Sequence, residues 1–132
     1  MPQQPEDLTQ HRLVHYVGVL GSRSEGFLYE EEGKLHRVPM AGSITVNNTD
    51  GYESACLGGF GLIQAPLMGM HLYLLSGELV AVLPQLNAPS MDVSLLYARQ
   101  RHLPLRVRAF MDWLGQFIPT THRIVGLGHL QN

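Results

Sequence analysis

One stretch, Ile44 to Pro66 (ITVNNTDGYESACLGGFGLIQAP), constrains the fold more than any other part of the chain. Ile44, Thr45 and Val46 are strand formers, because branched side chains pack well on a pleated surface. Asn47, Asn48, Thr49 and Asp50 are turn and helix-cap residues, and Asp50 with Glu53 three positions on has the spacing of a capping box. Gly58, Gly59 and Gly61 stop the helix, and Leu62 to Ala65 reads as a short buried strand ended by Pro66. The stretch is therefore one β-α-β unit. Its strand-to-helix junction gathers unpaired N–H groups at the positive end of the helix dipole, which suits a small anion. Most such junctions only satisfy their own helix end.

Short strands and helices continue on both sides. Arg12 to Val19 (RLVHYVGV) reads as a strand, with Gly18, Gly21 and Ser22 marking a loop. Phe27–Glu31 and Leu35–Met40 read as paired strands joined at Glu32–Lys34, where Gly33 supplies the permissive φ. Leu67–Leu75 is a short helix stopped by Ser76 and Gly77, Leu79–Leu83 a strand ended by Pro84, and Val93–Tyr97 a further strand. The last helix is the clearest amphipathic element. Val107, Phe110, Met111, Leu114, Phe117 and Ile118 keep the i, i+3, i+4, i+7 spacing, Pro104 suits its first turn, and Pro119 ends it. Arg108 and Asp112 have the spacing of an i, i+4 ion pair.

A chain of 132 residues fits one domain that buries about two-thirds of the surface its unfolded form exposes. A net charge of -2 gives no electrostatic reason for this piece to bind nucleic acid directly. The single Cys56 excludes an internal disulfide and suits a reducing cytoplasm. No signal peptide is visible in the polar first residues. Ser54 to Gly77 lacks Asp, Glu, Lys and Arg over a membrane-spanning length. Its five glycines, Pro66, Gln64 and His71 break it into separate elements, so no membrane association is expected.

The segments on either side of the β-α-β unit make the pattern specific. LSGELVAVLP (75–84) and MDVSLLYARQRHLPLRVRAFMDWL (91–114) come after it, and PEDL at Pro5–Leu8 precedes HRLVHY. In order and spacing, these segments resemble the C-terminal part of the effector-binding region of LysR-type transcriptional regulators, over roughly Pro5 to Ile118. The resemblance implies an α/β fold, a lobe like those of type II periplasmic-binding proteins, with a mixed sheet flanked by helices. It divides the chain into a second regulatory subdomain (1–90), a returning strand and amphipathic helix of the first subdomain (91–118), and a tail (119–132). The tail, TTHRIVGLGHLQN with its preceding Pro119, matches no usable pattern and is expected to be disordered. The winged helix-turn-helix, linker helix and most of the first subdomain of a complete regulator have no counterpart in these residues. In the family the final helix packs on that first subdomain. Here Val93–Tyr97 and the 105–118 helix are expected to pack on a second copy of the chain, giving a homo-oligomer, or to fold back on their own chain.

Other chemistry has little support. His11 and His15 have a helical ligand spacing, but on a strand four residues separate them by about 13 Å, so no shared metal is expected. The remaining histidines are scattered. There is no nucleophile elbow, P-loop or Rossmann glycine pattern, so no catalytic residue, cofactor or enzymatic activity is expected. Glu30–Glu32 reads as a solvated run, Cys56 as a buried structural thiol, and Arg99, Arg101, His102, Arg106 and Arg108 as a solvated face without aromatic platforms.

In open α/β sheets, ligands sit at the carboxyl ends of strands beside helix N-termini. Three strand ends qualify. The first is Val17, Gly18, Val19, Leu20, Gly21 and Ser22, followed by Arg23, whose guanidinium can neutralise a carboxylate. The second is Asn47, Asn48, Thr49 and Asp50, and the third Gln64, Ala65 and Pro66. The resemblance makes these the segments lining an effector cleft, and it implies a small metabolite, often an organic anion, bound between two subdomains in a cytoplasmic regulator. With half the cleft present, weak or absent affinity is expected of the chain alone. A solute-binding protein of the same fold and a ligand-free oligomerisation module are the alternative readings.

Overall fold

The computed structural model describes residues 1–89, 96, 104–117 and, as backbone, 124–129. It divides into two units, Met1–Pro89 with Arg123–Asn132, and Ser90–His122.

The first unit opens with a 3-10 turn, Pro5–Gln10, tied down where the Asp7 carboxylate accepts the N–H groups of Gln3 and Gln4. These two N–H donors hold the Asp7 carboxyl below its ordinary range. The next residues are extended. Only His15–Tyr16 (β1) is formal strand, but the ladder around it is longer. The N–H groups of Leu13, His15 and Val17 donate to the carbonyls of Ala41, Ile44 and Val46, at 2.9, 3.0 and 2.9 Å. On the other side, Arg12 O and Val14 N–H bond Leu62, at 2.8 and 2.9 Å. The expected Arg12–Val19 strand thus ends at Val17.

The next element is a hairpin, β2 (Phe27–Glu31) and β3 (Lys34–Val38), with Glu31 opposite Lys34. Its turn residues Glu32 and Gly33 have φ of 49° and 73°, the left-handed pair that a two-residue hairpin turn matched to strand twist requires. β4 (Thr45–Val46) pairs parallel with β1, and α1 (Thr49–Leu57) starts directly after it. The helix cap differs from the expected Asp50. Asn48 has the extended φ and ψ of a cap, and its Oδ1 accepts the Gly51 N–H at 2.8 Å. Asp50 instead lies inside the first turn, where its charge still suits the dipole.

β5 (Ile63–Pro66) leads into α2 (Leu67–Ser76), which Gly77 ends with a φ of 79°. β6 is Leu79–Ala81. Strand β7 (Ile124–His129) lies between β5 and β6, antiparallel to both, with Ile63 opposite Leu127 and Leu79 opposite His129. The segment expected to be a disordered tail therefore contains a strand. The described strands form three sheets, β1–β4, β2–β3 and β5–β7–β6, and the single parallel Leu13–Leu62 bridge links the first to the third.

Alternate residues of these linked strands feed two cores, as a strand period of two requires. Val14, Ile63 and Ala65 join Tyr52, Ala55 and Cys56 of α1, Met70 of α2, and Leu79. Leu13 and Leu62 join Leu8, Phe27, Tyr29, Met40, Val82 and Leu83 in the other core. Cys56 is fully buried, as expected.

The second unit is described through Leu96 and through α3 (Leu105–Phe117), with Pro104 preceding it and Pro104 O accepting the Val107 N–H at 3.0 Å. Val107, Met111 and Leu114 of the expected stripe are half-buried, whereas Phe110, Trp113 and Phe117 form an exposed aromatic row. Trp113 and Phe117 stack at 5.0 Å. Arg108 and Asp112 do not come within ion-pair distance. Val93–Tyr97, apart from Leu96, lies outside the described residues, as does Ile118.

Candidate functional site

A cavity of about 350 Å³ lies where β1 ends. Val17 and Gly18 close the strand, and the chain turns back through Gly21, with Ser22 N–H donating to Val19 O at 3.1 Å. Ser22, Arg23, Ser24, Glu25 and Gly26 then form one wall. Leu28 of β2, Tyr52 of α1 and Gln64 of β5 supply the others, with the Tyr16 ring at the edge.

Gln64 organises these pieces. Its side-chain Oε1 accepts the Leu28 N–H at 2.9 Å, and its Nε2 donates to Leu28 O at 2.7 Å. Its backbone N–H donates to the Tyr52 hydroxyl at 2.9 Å. Leu28 lies at a position of β2 whose backbone groups point away from β3. The Gln64 amide therefore does for Leu28 what a third strand would do. Asn87 O does the same for the Glu30 N–H at 2.7 Å.

Tyr52 is buried, and burial pushes its hydroxyl pKa up to about 12, although the N–H from Gln64 works the other way. It is a neutral phenol near pH 7 and keeps its own proton to donate. Its ring meets Tyr16 edge-on, with centroids 5.3 Å apart. Arg23 is exposed on the wall, and Glu25 bonds Arg37 Nη1 at 3.2 Å.

Of the expected site residues, the cavity brings together Val17, Gly18, Ser22, Arg23 and Gln64. Val19, Leu20 and Gly21 form the exposed tip of the turn and do not line it. Asn47, Asn48, Thr49 and Asp50 are also exposed and outside it, and the one side-chain acceptor among them that bonds the helix start, Asn48, serves α1. Ala65 is core and Pro66 is exposed at the start of α2. Tyr16, Ser24, Glu25, Leu28 and Tyr52 line the cavity without being among the residues the sequence points to. Tyr52 is legible in principle, because a helix starting at Thr49 turns its fourth residue towards the strand before it.

A second cavity, about 460 Å³, sits at the other end of β1 beside the last turn of α1. It adjoins the C-terminal, negative end of the α1 dipole, which serves an anion less well despite Arg12 and His11. Among the described residues no group of three metal-ligating side chains comes together, and no helix is long and apolar enough to cross a membrane.

A β-α-β lobe with a cavity at a strand's carboxyl end has counterparts among known proteins. The LysR substrate binding domain matches residues 1–118. The chain belongs to that family. It is 38% identical over 113 residues to YhjC, an uncharacterized HTH-type transcriptional regulator of Escherichia coli strain K12, covering 86% of this chain and 38% of that one. It is 30% identical over 112 residues to an HTH-type transcriptional repressor of Pseudomonas aeruginosa strain UCBPP-PA14, covering 83% and 35%. It is 26% identical over 117 residues to the E. coli K12 HTH-type transcriptional activator AaeR, covering 89% and 37%. The chain spans little more than a third of the length of these relatives. LysR substrate-binding domains sense ligands, and these relatives are transcriptional regulators rather than enzymes.

Proposed function

We propose that this chain is the effector-sensing lobe of a cytoplasmic LysR-type regulator and binds a small organic anion in the cavity at the end of β1. One observation carries the reading. In a domain of this family, an exposed guanidinium (Arg23) and four hydroxyl-bearing residues (Tyr16, Ser22, Ser24, Tyr52) line one cavity at a strand's carboxyl end. A guanidinium fork matches a carboxylate, and hydroxyl donors complete its hydrogen bonds. In the whole regulator, the first subdomain would close over the ligand, and closure would alter the oligomer that presents the DNA-binding heads.

Assembly is part of the proposal. The aromatic row on α3 supports a homo-oligomer built through that helix, because exposed Trp and Phe in a row are typical of interface anchors. Native mass spectrometry of the purified chain tests both points. A dimer that retains a small acid supports a site completed across copies. A bare monomer refutes completion of the site across copies, and a full-length regulator that takes up no small acid refutes the effector reading.

A further inference from the structure

Two of the residues lining the cavity have charged side chains, Arg23 and Glu25. Glu25 is already matched by Arg37, 3.2 Å away. Arg23 makes no ion pair with any described residue. The hydroxyls add donors without charge. Ser24 Oγ accepts the Gly26 N–H at 3.2 Å, and the Tyr52 hydroxyl accepts from Gln64, so each keeps its own proton for an acceptor in the cavity. Of the other lining residues, Tyr16 and Gln64 add polar groups, Leu28 is half-buried, and Leu13, Val14 and Val17 are buried.

We infer that the site selects a singly charged carboxylic acid and discriminates against a diacid of the same length. This rests on the effector reading above. One carboxylate meets Arg23 and the hydroxyls. A second carboxylate has no unmatched cation among the residues that line the cavity. The other charged side chain there is the Glu25 carboxylate, and its approach opposes binding.

Hexanoate and adipate separate the two cases, since both have six carbons and differ in one carboxylate. Each is titrated into the full 132-residue chain at matched sodium concentration and monitored by backbone amide NMR. Hexanoate is expected to move the amides of Gly18 and Ser22 to Gly26 saturably in the millimolar range. Adipate should bind at least about fivefold more weakly, the scale of one like-charge contact in a wet site. Arg23→Gln should abolish the hexanoate shifts while leaving the spectrum otherwise folded. Adipate binding as tightly as hexanoate, or hexanoate shifts that survive Arg23→Gln, overturns the charge selection while leaving the effector reading standing. No saturable shift from either acid overturns the inference for this chain and leaves the effector reading to the whole regulator.

Discussion

Gln64→Ala is the most informative single change, because it removes one side chain and disconnects two elements. The amide of Gln64 accepts from Leu28 N–H and donates to Leu28 O, across 36 positions of sequence. Truncation leaves both backbone groups of a half-buried residue without these partners. Each such bond is worth about 1 kcal/mol net, and the loss rises where the stranded group stays dry. The expected cost is about 2 kcal/mol, or roughly 7 °C in the unfolding midpoint of a domain this size. Urea unfolding with an unchanged slope measures the total. Hydrogen exchange locates it, and protection should fall first at Leu28 and Glu30, the β2 amides that face away from β3. The bond from Gln64 N–H to Tyr52 is made by the backbone and should persist. Gln64→Glu keeps the acceptor for Leu28 N–H and loses the donor to Leu28 O at neutral pH, so it should cost about half as much or slightly more. A Gln64→Ala penalty below about 0.5 kcal/mol, the range of ordinary surface changes, would refute the idea that this amide holds the hairpin to the sheet.

Three further changes test other parts of the fold. The Tyr52 hydroxyl is held at about 12, above its ordinary value of 10.0, so the unfolded chain loses the proton first; stability is fully present below pH 10 and drains as the pH climbs towards 12. By that pH the loss approaches about 2–3 kcal/mol, and Tyr52→Phe should remove this component of the alkaline slope in pH-dependent unfolding; equal slopes would count against the burial argument. Asn48→Ala should cost about 1 kcal/mol by removing the cap on Gly51 N–H, whereas Asp50→Ala should cost only a few tenths, and the reverse order in chemical denaturation would restore Asp50 as the cap. Gly61 has a φ of 154°, and a Cβ there would stand 2.6 Å from the Arg12 carbonyl that bonds Leu62. Gly61→Ala should therefore destabilise by about 2 kcal/mol or more, and a thermal midpoint unchanged within about 2 °C would contradict that packing.

The elements most legible in the sequence are those whose signals are local. Phe27–Glu31 and the Glu32–Gly33 turn are set by alternation and by one glycine that accepts positive φ. The start of α1 is legible only to within two residues, since Asn48 and Asp50 can both accept an N–H, and backbone angles rather than composition choose Asn48. α2 reads as a helix, but nearly every residue in LMGMHLYLLS is apolar, so the sequence does not say which face is covered. In the structure only Met70 is buried, while Met68, Leu72 and Leu75 are exposed. β7 has no usable local signal. Its run IVGLGH carries two glycines that weaken strand propensity, and its pairing depends entirely on β5 and β6, both far back along the chain.

The site divides the same way. Val17, Gly18, Ser22 and Arg23 come from one loop whose position is set by where a strand ends, and the rule for open sheets reaches them without a structure. Tyr52, Leu28 and Gln64 need the sheet. Its residues alternate between two faces, so Leu62 and Gln64 face the hairpin while Ile63 and Ala65 face the helices. A central strand buried on both faces should be uniformly apolar. Gln64 breaks that pattern at the point where β2 has one backbone donor and one acceptor turned towards it. A side-chain amide, with one acceptor and one donor arm, satisfies both at once, and an aliphatic residue there would leave the hairpin edge unpaired. The polar residue that looks out of place in GLIQAP is thus explained by a strand 36 positions earlier, which no reading of its neighbours could supply.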